Sequence, residues 1–174
     1  MKKLLFVIGS LRAASASRAT AMALIDRLGA EITCQIADMG QLPLYNADLS
    51  EQPVVAEWIK QLRDADCVVF ITPEYNYGVP GVLKNAIDWA SRPAFESVFK
   101  GKNCFVISVS GGALGGVRAQ ADLKYTLNGM LAETFTCKEV VVPMANTKVV
   151  DGKLSDAVVI DFAEENIRGF LAVL

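Results

Sequence analysis

At 174 residues the chain is long enough for one domain spanning residues 1–174, and it can bury enough apolar surface to fold without a disulfide or a metal. Hydrophobic residues at 52% and charged residues at 21% exclude a disordered chain, and a net charge of −2 without a Lys/Arg cluster argues against nucleic acid as the partner. The lack of any histidine removes Ser-His-Asp and Cys-His catalysis, His-ligated zinc and the usual general base near neutral pH.

Leu4–Ile8 is a continuous apolar run, the pattern of a strand covered on both faces. With Lys2 and Lys3 before it, it mimics a secretory leader, but it is shorter than the ~7–15 residues of an apolar leader core. It therefore reads as a first strand, and the expected compartment is the cytoplasm. No apolar run approaches the ~18 residues of a membrane span, so no membrane insertion is expected. A loop of small residues leads to a helix from Ser17 to Leu28, then a second strand over Glu31–Ala37. Gln41–Asp48, with Pro43 and Asn46, reads as a loop. Pro53 opens a helix to Arg63 with Val55, Ile59 and Leu62 on one face. Cys67–Thr72 is a third strand, Glu74–Val79 a turn-rich loop, and Pro80 starts a helix to Ala90. Asn103–Ser110 is the fourth strand, and the glycine-rich stretch 111–116 leads to a helix ending near Ala132. Thr136–Val142 reads as the fifth strand, Asn146–Lys153 as a polar excursion, and Ser155–Ala172 as the last helix.

Five β-α units imply an α/β fold with a parallel sheet and helices on both faces. The five-strand order 2-1-3-4-5 puts the ligand crevice beyond the carboxyl ends of strands one and three. Cys34, Cys67, Cys104 and Cys137 stand singly in these strand-like runs, without a CxxC, and read as small buried hydrophobes.

The loop after strand one, Gly9 to Arg18, gathers Ser10, Arg12, Ser15 and Ser17 at a helix N-terminus, an arrangement that suits a single phosphate. It has neither GK[ST] nor GxGxxG, which disfavours a Walker loop and a Rossmann pyrophosphate site. A helix cap at Ser15 or Ser17 with a solvated Arg12 is the plain alternative. In the loop after strand three, which holds Pro73, Glu74, Tyr75, Asn76 and Tyr77, two prolines (Pro73, Pro80) and two glycines (Gly78, Gly81) fix the backbone shape, and the loop could receive a planar heteroaromatic ring. Ser110, Gly111 and Gly112 allow close approach of backbone to a ligand. Lys84 and Asp88 are spaced to pair on a helix surface, and Asn85 and Asp88 read as structural. Trp89, Phe95 and Phe99 suit either a partner subunit or the domain's own core.

Gly9-Ser10-Leu11-Arg12-x-x-Ser15, together with Pro73-Glu74-Tyr75-Asn76-Tyr77-x-x-Pro80-Gly81-x-Leu83-Lys84-Asn85-Ala86-Ile87-Asp88-Trp89, resembles the NADPH-dependent FMN reductase family. The resemblance implies a flavodoxin-like three-layer sandwich, bound FMN, NADPH or NADH as hydride donor, and a homodimer or homotetramer. It implies that Ser10, Arg12, Ser15 and Ser17 hold the FMN phosphate, Pro73 to Tyr77 line the isoalloxazine, and Ser110 to Gly112 close its far side. No catalytic side chain and no metal are implied, because the flavin carries the electrons. The acceptor would be a small molecule: a quinone, or chromate, an azo compound or free flavin. The second reading is a flavodoxin-type electron carrier between protein partners, against which stand the small net charge and Arg12 in the phosphate loop. Ser17 replaces the Asn common in the family, and the region after Ala132 matches it weakly.

Overall fold

The apolar runs become strands and the amphipathic stretches become helices in the computed structural model, which describes residues 1–174. In chain order these are β1 (Lys3–Ile8), α1 (Ala16–Leu28), β2 (Thr33–Ile36), α2 (Pro53–Asp64), β3 (Cys67–Pro73), α3 (Gly81–Ala90), β4 (Asn103–Val109) and α4 (Val117–Gly129). There follow β5 (Glu133–Thr134), β6 (Val140–Val142), β7 (Val149–Val150), β8 (Lys153–Leu154) and α5 (Ala157–Ala172). The main sheet is parallel and runs β2-β1-β3-β4-β5, with β6 also paired to β4. This is the expected order.

Side-chain alternation along the strands divides the core into two layers. Leu4, Phe6, Ile8, Val69, Ile71 and Phe105 face α1 and α5. Leu5, Val7, Val68, Phe70 and Val106 face the layer of α2, α3 and α4. Trp58 of α2 is 1% exposed, and its indole N–H donates to the Ala86 carbonyl of α3 at 2.8 Å, so a large ring is buried without an orphaned donor. Each such fully buried side chain contributes about 1.5–3 kcal/mol relative to exposure.

The fifth strand is the main departure from the sequence reading. Instead of one strand over Thr136–Val142 there are two short pieces. Cys104 pairs with Thr134 and Ile107 with Val140, so the edge chain takes six steps where β4 takes three. The extra residues leave the ladder around Phe135, whose ring packs on Phe105 at 5.9 Å and Phe170 at 5.5 Å, and around the exposed Lys138 and Glu139. An aromatic cluster on one side and charges on the other override strand propensity there. The polar excursion holds a 3-10 turn at Ala145–Thr147 and the β7–β8 hairpin, whose turn residues Asp151 (φ 49°) and Gly152 (φ 76°) are both left-handed. β2 is shorter than expected because Gly29–Glu31 forms a 3-10 turn.

α4 ends at Gly129 rather than Ala132, and α5 starts at Ala157, where the Asp156 side chain accepts from the Val159 amide at 3.1 Å. No helix is long and apolar enough to cross a membrane.

Candidate functional site

The loops after β1, β3 and β4 meet at the carboxyl end of the sheet and enclose a cleft of about 350 Å³. Gly9 begins the first loop, its amide donating to the Ile71 carbonyl at 2.9 Å. A Cβ there would lie 3.0 Å from Pro73 Cδ and 3.3 Å from Thr72 Cα, so glycine lets the first and second loops lie this close without either giving way.

Ser10, Arg12, Ser15 and Ser17 all line the cleft. Ser15 caps α1, its hydroxyl oxygen accepting from the Arg18 amide at 3.1 Å, and its hydroxyl proton remains for a ligand. The first two amides of α1, Ala16 and Ser17, have no acceptor within the helix. Ser17 is 1% exposed, yet its hydroxyl bonds to no other group of the chain. The Arg12 guanidinium is exposed and has no carboxylate partner. Two hydroxyls, two amides and a free guanidinium around one helix N-terminus can hold a dianionic phosphate. The Ser10 and Tyr75 hydroxyls, 3.3 Å apart, join this region to the second loop.

In the second loop, Tyr75 and Gly78 exchange backbone hydrogen bonds of 3.1 Å across a two-residue turn. Asn76 (φ 51°) and Tyr77 (φ 69°) occupy its centre, and the left-handed conformation at a tyrosine costs on the order of 1 kcal/mol. The Arg118 guanidinium stacks over the Tyr77 ring at 4.4 Å and offsets part of that cost. Glu74 accepts from the Arg118 and Ala119 amides at the start of α4, and from Arg118 Nη1 at 2.7 Å. Burial works to raise the Glu74 pKa, but the guanidinium and the two amides outweigh it and hold the carboxyl below the ordinary glutamate range.

Pro73, Glu74, Tyr75, Ser110 and Gly111 join the serines and Arg12 in the main cleft. Asn76, Tyr77 and Gly112 instead line an adjoining hollow of about 420 Å³, which shares Glu74 and Ser110 with it. Two polar side chains outside the sequence-derived set also stand here: Asn146 on the cleft and Arg118 on the hollow. Their loop and helix partners come from distant parts of the chain, and no local motif marks them.

The other singled-out residues are structural. Lys84 and Asp88 pair at 2.6 Å, and Asn85 bonds the Pro43 carbonyl and the Tyr45 amide. Phe99 is buried in the core, Trp89 packs on Tyr45, and only Phe95, 65% exposed, is available to a partner. No cysteine lines the cleft. Burial pushes the Cys67 and Cys104 thiols up to about 12, which leaves them unreactive near neutral pH. Cys137 lies between β5 and β6 rather than within a strand.

The family described as NADPH-dependent FMN reductase matches residues 2–147. An NAD(P)H-dependent FMN reductase of Pseudomonas aeruginosa is 39% identical over 176 residues, an alignment that covers 99% of this chain and 92% of the relative. A quinone reductase of Pseudomonas putida is 43% identical over 124 residues, 70% of this chain and 67% of the relative. The solved structure of FerB, a flavoenzyme NAD(P)H:(acceptor) oxidoreductase from Paracoccus denitrificans, superposes with a TM-score of 0.86 at 32% identity, covering 99% of this chain and 96% of FerB.

Proposed function

From the premise that this chain belongs to the NADPH-dependent FMN reductase family, we propose that its cleft holds FMN and that the protein passes a hydride from NAD(P)H to a small acceptor of the quinone class. The observation that carries the reading is the single-phosphate cradle: the unpaired Arg12 guanidinium, the partnerless Ser17 hydroxyl and the open amides of α1. The donor set fits one terminal phosphate, as FMN has.

When bound, FMN supplies the two-electron chemistry that no side chain here can supply. Arg12 and Ser17 neutralise and orient the phosphate end. Pro73 to Tyr75 and Ser110 with Gly111 would hold the ring between the second and third loops, with Asn76, Tyr77 and Gly112 on the adjoining hollow left for donor and acceptor. The Tyr75–Ser10 contact keeps the first and second loops in register. Glu74 is engaged by Arg118 and the start of α4, so its carboxylate fixes the loop rather than moving a proton.

NADPH or NADH serves as donor, and chromate, azo compounds and free flavin are further acceptors in reach of an open cleft. The exposed Phe95 suits an interface in a homodimer or homotetramer. Four unpaired cysteines suit the reducing cytoplasm.

Purified protein treated with acid should release FMN, about one per chain, and anaerobic NADPH should bleach the bound flavin, with a quinone restoring its colour. Release of FAD, or no flavin and no uptake of added FMN, would overturn the proposal.

A further inference from the structure

Asn146 belongs to no motif, yet it stands on the rim of the main cleft. Three backbone hydrogen bonds lace its segment onto the loop after β4: Ser110 amide to Val142 carbonyl at 3.0 Å, Ala145 amide to Ser110 carbonyl at 2.9 Å, and Met144 amide to Gly112 carbonyl at 3.1 Å. Ala145 is fully buried, and Met144 takes a left-handed φ of 52° to bring the chain around. The side chain so placed makes no hydrogen bond within the protein. Its Nδ2 lies over Gly111, 2.7 Å from where a Cβ would stand, so the bare Cα leaves the amide room in this position. The Gly111 N–H beside it is likewise without an acceptor in the chain. Two unused donors therefore line the cleft at the loop after β4, the loop that the proposed function sets against the flavin ring.

The geometry points to Asn146 as a hydrogen-bonding ligand of the flavin ring, a positioning residue that biases the redox potential of bound FMN. The inference rests on the FMN reading of the cleft. A hydride brings two electrons and one proton, so the ring gains one unit of negative charge when it is reduced. A neutral donor at a ring carbonyl holds the more negative form better, which raises the potential.

The test is a titration of apo-protein with FMN, followed by a redox titration of the bound flavin, for wild type, Asn146→Ala and Asn146→Asp. Oxidised FMN should bind Asn146→Ala within about threefold of wild type, because one neutral hydrogen bond among many is lost. The preference for reduced over oxidised FMN should fall about tenfold, a potential lower by about 30 mV for a two-electron couple. Asn146→Asp should lie lower still, because its carboxylate repels the reduced ring. If wild type takes up no FMN, the cleft itself has been misread. If FMN binds all three proteins at one potential, or Asn146→Asp matches or exceeds wild type, the role of Asn146 is overturned while the cleft reading stands.

Discussion

Arg12 in the loop after β1 and Arg18 in the first turn of α1 are close in sequence, but only Arg12 lines the cleft, and its guanidinium has no acid to pair with. A planar fork can bond two phosphate oxygens at once, which a lysine ammonium cannot. Arg12→Ala should weaken FMN binding by roughly ten- to a hundredfold, about 1.5–3 kcal/mol, with Arg12→Lys between it and wild type. With FMN in excess, both variants should recover most of their turnover, since the reacting ring lies at the far end of the ligand. Titration of apo-protein and turnover at saturation check the two halves; FMN binding to Arg12→Ala as tight as to wild type would move the phosphate elsewhere. Arg12 and the serines were legible because one short segment holds both the donors and the helix start that aims them. Asn146 was not, because three tertiary hydrogen bonds bring it to the cleft and its neighbours in sequence carry no sign of them.

Among the elements, α4 depends on a residue outside itself. Its first turn has no side-chain cap of its own, and Glu74 from the loop after β3 accepts from its amides instead. Glu74→Ala should cost about 1–2 kcal/mol, the loss of a charged helix cap together with its arginine partner. The folded-state pKa of Glu74 lies below the ordinary value, so its ionised form adds stability that is complete above the unfolded value and disappears as pH falls through the folded one. Wild type and Glu74→Gln should therefore differ most near neutral pH in denaturant melts and converge in acid; an unchanged gap at low pH would remove the carboxylate from the account. The sequence marks α4 well by its periodicity but not this cap, which is separated from the helix by the whole of α3 and β4. The fifth strand failed for a related reason. The apolar run of Val140 to Val142 is plain, whereas the excursion before it depends on Phe135 meeting Phe105 and Phe170.

For the whole molecule, the sheet order followed from five β-α repeats, because parallel strands with crossover helices leave few topologies. With that order given, the loops after β1 and β3 must meet, and most of the cleft follows from the topology. Segments without regular structure look alike in the sequence, yet they differ in firmness. The loop 41–48 sits against α3, where the Pro43 carbonyl accepts from both Asn85 Nδ2 at 2.9 Å and Trp89 Nε1 at 2.7 Å. The Asn85 Oδ1 takes the Tyr45 amide at 2.7 Å, and the Tyr45 ring meets Trp89 edge-on at 5.0 Å. Deuterium uptake should therefore set Tyr45 apart from Leu44 and Asn46: its amide should exchange at least about tenfold more slowly than theirs, and Asn85→Ala should erase the difference. Equal rates in wild type would mean that this clasp opens freely. If it holds, the loop's resistance to proteases is set by the α3 side chains that clasp it rather than by its own lack of regular structure.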